Sequence, residues 1–194
     1  MSYLGDRVKI AIPKKGRLSA ATRDLLAASD IDFHRSERTD IALVKNFPIA
    51  LIFLPAADIP LYVGESNVAL GITGTDQVAE YEAGTPPTET TGVVEVMSLN
   101  FGKCKLQVQT PTNSDYNEPK SLIGKTIATS FTNLTGQYFR KLEADNGVTQ
   151  QGEKLKTRIL HLGGSVEAAC SMGMSDGIVD LVGKSKKTAV WCPI

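Results

Sequence analysis

Val8-Lys9-Ile10-Ala11-Ile12-Pro13-Lys14-Lys15-Gly16-Arg17-Leu18-Ser19 sets the pattern from which the fold follows. Val8 to Ile12 is a short apolar run, rich in branched residues, of the kind that makes a buried strand. Pro13, with no N–H to give a ladder, ends it. A basic turn comes next. Ser19 is then expected to cap a helix to about Ala28, with Leu18, Leu25 and Leu26 on its inner face.

The alternation repeats along the chain. Ile49 to Leu54 reads as a strand ended by Pro55, and Asn67 to Ile72 as another, followed by Thr73-Gly74 and a helix through Tyr81. Glu82 to Gly92, rich in Pro, Thr and Glu, reads as a surface loop. Beyond it, strands are expected at Val93 to Ser98, Lys105 to Thr110, Thr126 to Ser130, Arg158 to Leu162 and Gly177 to Val182. Helices are expected at Asn133 to Ala144 and Ser165 to Met172. Strands and helices taking turns predict an α/β fold in two lobes, residues 1–95 and 96–182, with 183–194 as a divergent tail.

The totals exclude several classes. Lys and Arg number 21 against 21 Asp and Glu, so the chain lacks the basic footprint of a nucleic-acid or anionic-membrane binder. Cys104, Cys170 and Cys192 are odd in number and scattered, which fits reduced thiols better than a disulfide framework. His34 and His161 are the only histidines, which argues against a His-built transition-metal site. No run is long and apolar enough to span a bilayer, and the first residues carry no signal-peptide core. The expectation is a cytoplasmic protein.

In open α/β sheets ligands gather beyond the C-terminal strand ends, so those loops carry the candidates. Lys14, Lys15 and Arg17 flank the flexible Gly16 just before a helix, which suits a phosphate or leaves an ordinary basic turn. Asp58 and Asp76, after the next two strands, each read as a helix cap or a ligand contact, with Thr73 and Gly74 beside the second. In the second half Thr129 and Ser130 end a strand in hydroxyls, and Gly164, Ser165 and Glu167 lead into a helix. Asp176 starts, and Asp180 sits inside, an apolar strand where a carboxylate needs a partner such as a sugar hydroxyl or a metal. Phe101, Phe131 and Tyr138 read as core rather than as platforms for a base.

Together these motifs resemble the ATP phosphoribosyltransferase family, which opens histidine biosynthesis. They run in order: Pro13 to Leu18, Phe53-Leu54-Pro55-Ala56-Ala57-Asp58-Ile59-Pro60, Gly71-Ile72-Thr73-Gly74-Thr75-Asp76, Phe101 to Leu106, Gly124 to Phe131, Gly164 to Glu167 and Asp176 to Val182. The wording is most similar to the fungal, long-form members. The resemblance implies two lobes of the periplasmic-binding-protein type (type II) with the active site in the cleft between them. It implies that N1 of ATP attacks C1 of 5-phosphoribosyl 1-diphosphate, releasing diphosphate in the presence of Mg²⁺, in a homo-oligomer. By carry-over, Lys14, Lys15, Gly16, Arg17 and Arg38 face phosphates, and Asp58, Thr73, Gly74 and Asp76 line the site. Thr129, Ser130, Gly164 and Ser165 also contact substrate, while Glu167, Asp176 and Asp180 hold the ribose hydroxyls, with Asp176 and Asp180 near the metal.

The resemblance breaks after Val182. Where the family has Ser-Gly-x-Thr to hold a sugar phosphate, this chain has Lys184-Ser185-Lys186-Lys187. The expectation is a core lacking the family's returning segment and its histidine-binding regulatory domain, with no further element beyond Gly183. Gly183-Lys184-Ser185 can be encoded by GGTAAGTC, which holds the intron donor GTAAGT, so the tail is expected to be translated intron rather than a genuine isoform. The alternative function is a fragment that only binds nucleotide or docks with full-length subunits.

Overall fold

Val8–Pro13 forms β1, the axis of the first of two units. The computed structural model describes residues 4–36, 39–150 and 152–183, and residues 189–193 through their backbone. The units are Met1–Gly102 and Lys103–Ile194.

In the first unit β1 lies between two parallel neighbours, β3 (Ile49–Leu54) and β4 (Leu70–Gly71). β2 (Ile41–Leu43) runs antiparallel on the outer side of β3, giving the order β2-β3-β1-β4. Because β1 is internal, Ala11 and Ile12 are fully buried. One face packs Ile12, Leu26, Ala42, Val44, Leu51 and Phe53. The other packs Ala11, Ile59 and Val68. Helices α1 (Ser19–Ala28), α2 (Ile59–Gly64) and α3 (Thr75–Gly84) follow β1, β3 and β4. Burying each large apolar side chain contributes about 1.5–3 kcal/mol, so the alternating apolar runs drive this arrangement.

Three expectations for this unit are corrected. Ser19 is inside α1, not its cap: Leu18 holds that position and no side chain caps the helix. The strand expected over Asn67 to Ile72 shrinks to Leu70–Gly71, because the N–H groups of Asn67 and Val68 are claimed by the Tyr62 carbonyl at the end of α2. Val93 to Ser98 forms no strand. Its alternating pattern is that of an extended segment, but a strand needs a ladder partner, and among the described residues none is present. Val94, Val96 and Met97 are accordingly 84%, 78% and 71% exposed.

The second unit orders its sheet β7-β6-β8-β5-β9. β6 (Thr126–Thr129) lies parallel between β7 (Arg158–His161) and β8 (Gly177–Val182), and β5 (Lys105–Thr110) closes antiparallel on β8. Helix α4 (Thr132–Asp145) follows β6, and the single turn α5 (Ala168–Ser171) follows β7, shorter than the helix expected from Ser165. Phe131 and Phe139 are buried among Leu106, Val108, Leu122 and Val179, and Tyr138 packs against them, as core residues. Phe101 belongs to the first unit and is half-buried.

The absence of an element beyond Gly183 is also corrected. Ala189–Pro193 forms β9, antiparallel to β5 with Gln109 opposite Val190 and Thr110 opposite Ala189. An unpaired edge of β5 offers N–H and C=O groups, and a β-prone segment supplies the complement. Lys184 to Lys187 lie outside the described residues. In both sheets the parallel strands take the order second, first, third in the chain. The C-terminal ends of each set share one edge, and the loops that leave them lie together there.

Candidate active site

At that edge of the first unit the loops carry paired charges. Lys14 Nζ lies 2.6 Å from Asp40 Oδ1, and Arg35 Nη2 lies 3.8 Å from the same atom. Arg35 is fixed from two further sides: its Nε donates to the Thr39 carbonyl at 2.9 Å, and its guanidinium stacks 3.9 Å from the Phe53 ring centroid. Sequence reasoning missed both Arg35 and Asp40 as site residues. Asp40 arrives because β2 folds back on β3, where its carbonyl accepts the Phe53 N–H at 2.8 Å, and no local pattern encodes that pairing. Exposed ion pairs of this kind contribute only about 0–1 kcal/mol, so Lys14 can leave Asp40 for an anionic ligand.

Arg17 is the centre of the second cluster. Its Nη2 donates to Asp76 Oδ1 at 2.9 Å and Oδ2 at 3.1 Å, and its Nη1 donates to the Gly102 carbonyl. Gln77 Nε2 adds a 2.8 Å bond to Asp76 Oδ2. Asp76 makes no cap bond to α3, so the Arg17 pair is its role, not the cap reading. Thr73 Oγ1 donates to the Ala56 carbonyl at 2.8 Å and ties the end of β4 to that of β3. Asp58 is exposed at the head of α2 and makes no side-chain cap bond there either. Lys15 is exposed beside Gly16, whose φ of 89° makes the turn. Arg38 lies outside the described residues.

The second unit brings together only part of its predicted set. Thr129 ends β6 fully buried, its Oγ1 accepting the Phe131 N–H at 2.9 Å at the head of α4. Ser130 follows it. Gly164, Ser165 and Glu167 are exposed in the loop after β7, with Ser165 at φ 52°. Glu167 heads α5 without capping it. Asp180 lies in the C-terminal half of β8, half-buried rather than fully enclosed, and its Oδ1 accepts the Leu181 N–H at 2.7 Å. These residues share the C-terminal side of the sheet.

Asp176 does not, and its assignment is corrected. It precedes β8 at the opposite end, where Oδ1 accepts the Tyr116 hydroxyl and Oδ2 the Thr126 N–H, both at 2.9 Å. Four residues of strand put it about 13 Å from Asp180, at ~3.3 Å per residue. Two carboxylates that far apart cannot share one Mg²⁺, whose ligands sit at about 2.0–2.1 Å. Among the described residues no group of three or more His, Cys, Asp or Glu is placed to hold a metal ion. Asp176 instead pushes the Tyr116 pKa up, chiefly through the hydrogen bond, with burial and the charges of Asp176 and Asp115 acting the same way.

A second structural carboxylate escaped the sequence reading. Glu143 on α4 is fully buried and accepts the Thr157 N–H and hydroxyl at 2.7 Å each and the Lys156 N–H at 2.9 Å. Burial pushes its pKa up, but the three hydrogen bonds, with the Lys156 charge, outweigh that and hold it below the usual glutamate value. Burial raises the Cys170 thiol, so it is not an activated nucleophile.

The sequence profile of ATP phosphoribosyltransferase matches residues 55–188, which is more than half of the chain. The chain belongs to the ATP phosphoribosyltransferase family. The ATP phosphoribosyltransferase of Yarrowia lipolytica is 52% identical over 196 aligned residues, covering all of this chain and 62% of that protein. That of Saccharomyces cerevisiae is 52% identical, covering 94% of this chain and 57% of the other. The chain thus spans about six-tenths of the length of these relatives. Among solved structures, an ATP phosphoribosyl transferase (HisG:HisZ) complex from Thermotoga maritima aligns with a TM-score of 0.71 at 25% identity, over 96% of this chain and 81% of that one. The α/β fold implied by the motifs, built as two units, is therefore shared with that solved ATP phosphoribosyl transferase. No helix among its described residues is long and apolar enough to cross a membrane.

Proposed function

We propose that this chain carries the catalytic core of an ATP phosphoribosyltransferase, condensing ATP with 5-phosphoribosyl 1-diphosphate to 1-(5-phosphoribosyl)-ATP and diphosphate, the first step of histidine biosynthesis, in the cytoplasm. The observation that carries it is the family match over residues 55–188 together with Lys14, Lys15 and Arg17 gathered at the strand ends of the first unit. In the reaction the bond from C1 to the diphosphate oxygen breaks, its electron pair leaves with diphosphate, and adenine N1 bonds C1. Little covalent help is needed. The barrier falls through alignment of N1 with C1 and neutralisation of phosphate charge.

On this reading Lys14 exchanges Asp40 for a phosphate, and Lys15 and Arg17 face the same polyanion. Asp180 and Glu167 accept hydrogen bonds from ribose hydroxyls and oppose the positive charge that builds on the sugar ring. Mg²⁺ would neutralise diphosphate when bound. Asp176 and Asp180 do not fit as a shared site for it, and of that pair Asp180 alone lies at the substrate end, in keeping with an ion held mostly by phosphate oxygens. Assembly with further subunits, of this chain or of a partner, is part of the proposal, since the solved Thermotoga relative is itself a complex.

The test is formation of phosphoribosyl-ATP, followed by its ultraviolet absorbance, with ATP, 5-phosphoribosyl 1-diphosphate and Mg²⁺. Turnover by the chain supports the proposal. Nucleotide binding without turnover puts the binding fragment in its place. Neither turnover nor binding sinks both.

A further inference from the structure

Arg17, Asp76, Gly74 and Gly102 form a unit whose geometry goes beyond a row of substrate contacts. Asp76 is the more enclosed partner, its side chain 13% exposed against 35% for Arg17. Both its oxygens are already used, by Arg17 and by Gln77. Arg17 by contrast has donors to spare. A guanidinium has five N–H groups, and the bonds to Asp76 and the Gly102 carbonyl leave Nε–H and one Nη1–H without a partner among the described residues.

Two glycines make room for this arrangement. A Cβ on Gly74 would stand 2.1 Å from Asp76 Oδ1 and 3.3 Å from Arg17 Nη2. A Cβ on Gly102 would stand 2.2 Å from Leu18 Cδ2 and 3.2 Å from Arg17 Nη1, at a φ of 69° that other residues rarely adopt. The loop after β1, the loop after β4 and the segment ending at Gly102 thus close around one guanidinium, which leaves it little rotational freedom.

We propose that Asp76 is a positioning residue and not a substrate contact: it holds the Arg17 fork at the strand ends so that the two remaining N–H groups meet an incoming phosphate. This rests on the nucleotide reading above and deepens it. A carboxylate beside a polyanion is unfavourable by charge alone, so its presence in a phosphate site needs a reason. Neutralising and aiming Arg17 supplies one, because a planar fork recognises phosphate only when its orientation is fixed.

Coulomb repulsion and positioning of Arg17 predict opposite signs in calorimetric titration of the full chain with ATP and, separately, with inorganic diphosphate. Removing a negative charge tightens anion binding if Asp76 acts only through Coulomb repulsion. If it positions Arg17, Asp76→Asn weakens binding about tenfold, and the same substitution in an Arg17→Ala background has no further effect. Gly74→Ala, which keeps the charge but displaces the carboxylate, produces a similar loss and guards against misfolding of the asparagine variant, with circular dichroism confirming the fold of each. Tighter or unchanged binding in Asp76→Asn, or an equal loss in the Arg17→Ala background, overturns the proposal and leaves the nucleotide reading standing. A parent chain that binds neither ATP nor diphosphate takes down both.

Discussion

At the residue scale, four of the five acids placed in the site from the sequence separate by what their oxygens already do. Asp176 spends both on Tyr116 and Thr126, Asp76 on Arg17 and Gln77, while Glu167 and Asp58 cap nothing. Asp176→Asn is therefore expected to lower stability by about 1–3 kcal/mol through a lost acceptor, read as a fall in Tm, with ATP affinity unchanged in titration. Weaker ATP binding without a fall in Tm would return Asp176 to the site. Glu143 makes the sharper case. Glu143→Ala leaves the Thr157 hydroxyl and N–H and the Lys156 N–H without their acceptor and is expected to cost about 3 kcal/mol in urea unfolding. Because its folded pKa lies below the unfolded one, its contribution is complete above the unfolded value of about 4.3 and is lost as pH falls through the folded value. Glu143→Gln should flatten that acid limb of the stability curve, and an unchanged limb would contradict the assignment.

At the scale of elements, β4 and α2 show how a pattern that reads as a strand is cut to a pair of residues. α2 lies so close that a Cβ on Gly71 would stand 2.5 Å from Ile59 Cγ2 and 2.8 Å from Val63 Cγ2. Gly71→Ala is expected to destabilise the chain by about 1–3 kcal/mol in chemical unfolding, since helix and strand must move apart. A neutral result would mean that α2 is not seated on the sheet as described. The strand ends themselves were legible: Pro13, Pro55 and Thr73-Gly74 mark where β1, β3 and β4 stop or hand over to helices. Capping was not. Ser19, Asp58 and Asp76 have the right residue type, yet none makes a cap bond: Ser19 lies inside α1 behind Leu18, Asp76 sits in the first turn of α3 and is taken by Arg17, and Asp58 at the head of α2 is exposed to solvent.

For the whole molecule, the notable surface feature is Val93 to Met97, extended and unpaired among the described residues, with three large apolar side chains mostly exposed. Such a segment, β-prone and carrying a single charge, is a template for intermolecular pairing. Val94→Glu with Val96→Lys is expected to reduce aggregation in light scattering while leaving Tm within about 1 °C, as befits exposed sites. A large fall in Tm would show instead that these side chains are covered in solution.

The succession of β1, α1, β3, β4, α3, β5, β6, α4, β7 and β8, the position of the basic loop and the run of motifs that mark the family were set by the sequence alone, because apolar periodicity and turn residues act over a few neighbours in the chain; β2 and β9 were not. The partners of those residues were not. Arg35 reaches Asp40 because β2 folds back on β3; Arg17 meets Asp76 because β4 lies beside β1; Asp176 and Asp180 part because a strand is extended. A carboxylate's role depends on which donors reach it. In this chain most of those donors come from distant segments, so only the tertiary structure could separate Asp176, which holds the start of β8, from Asp180 at the C-terminal side of the sheet.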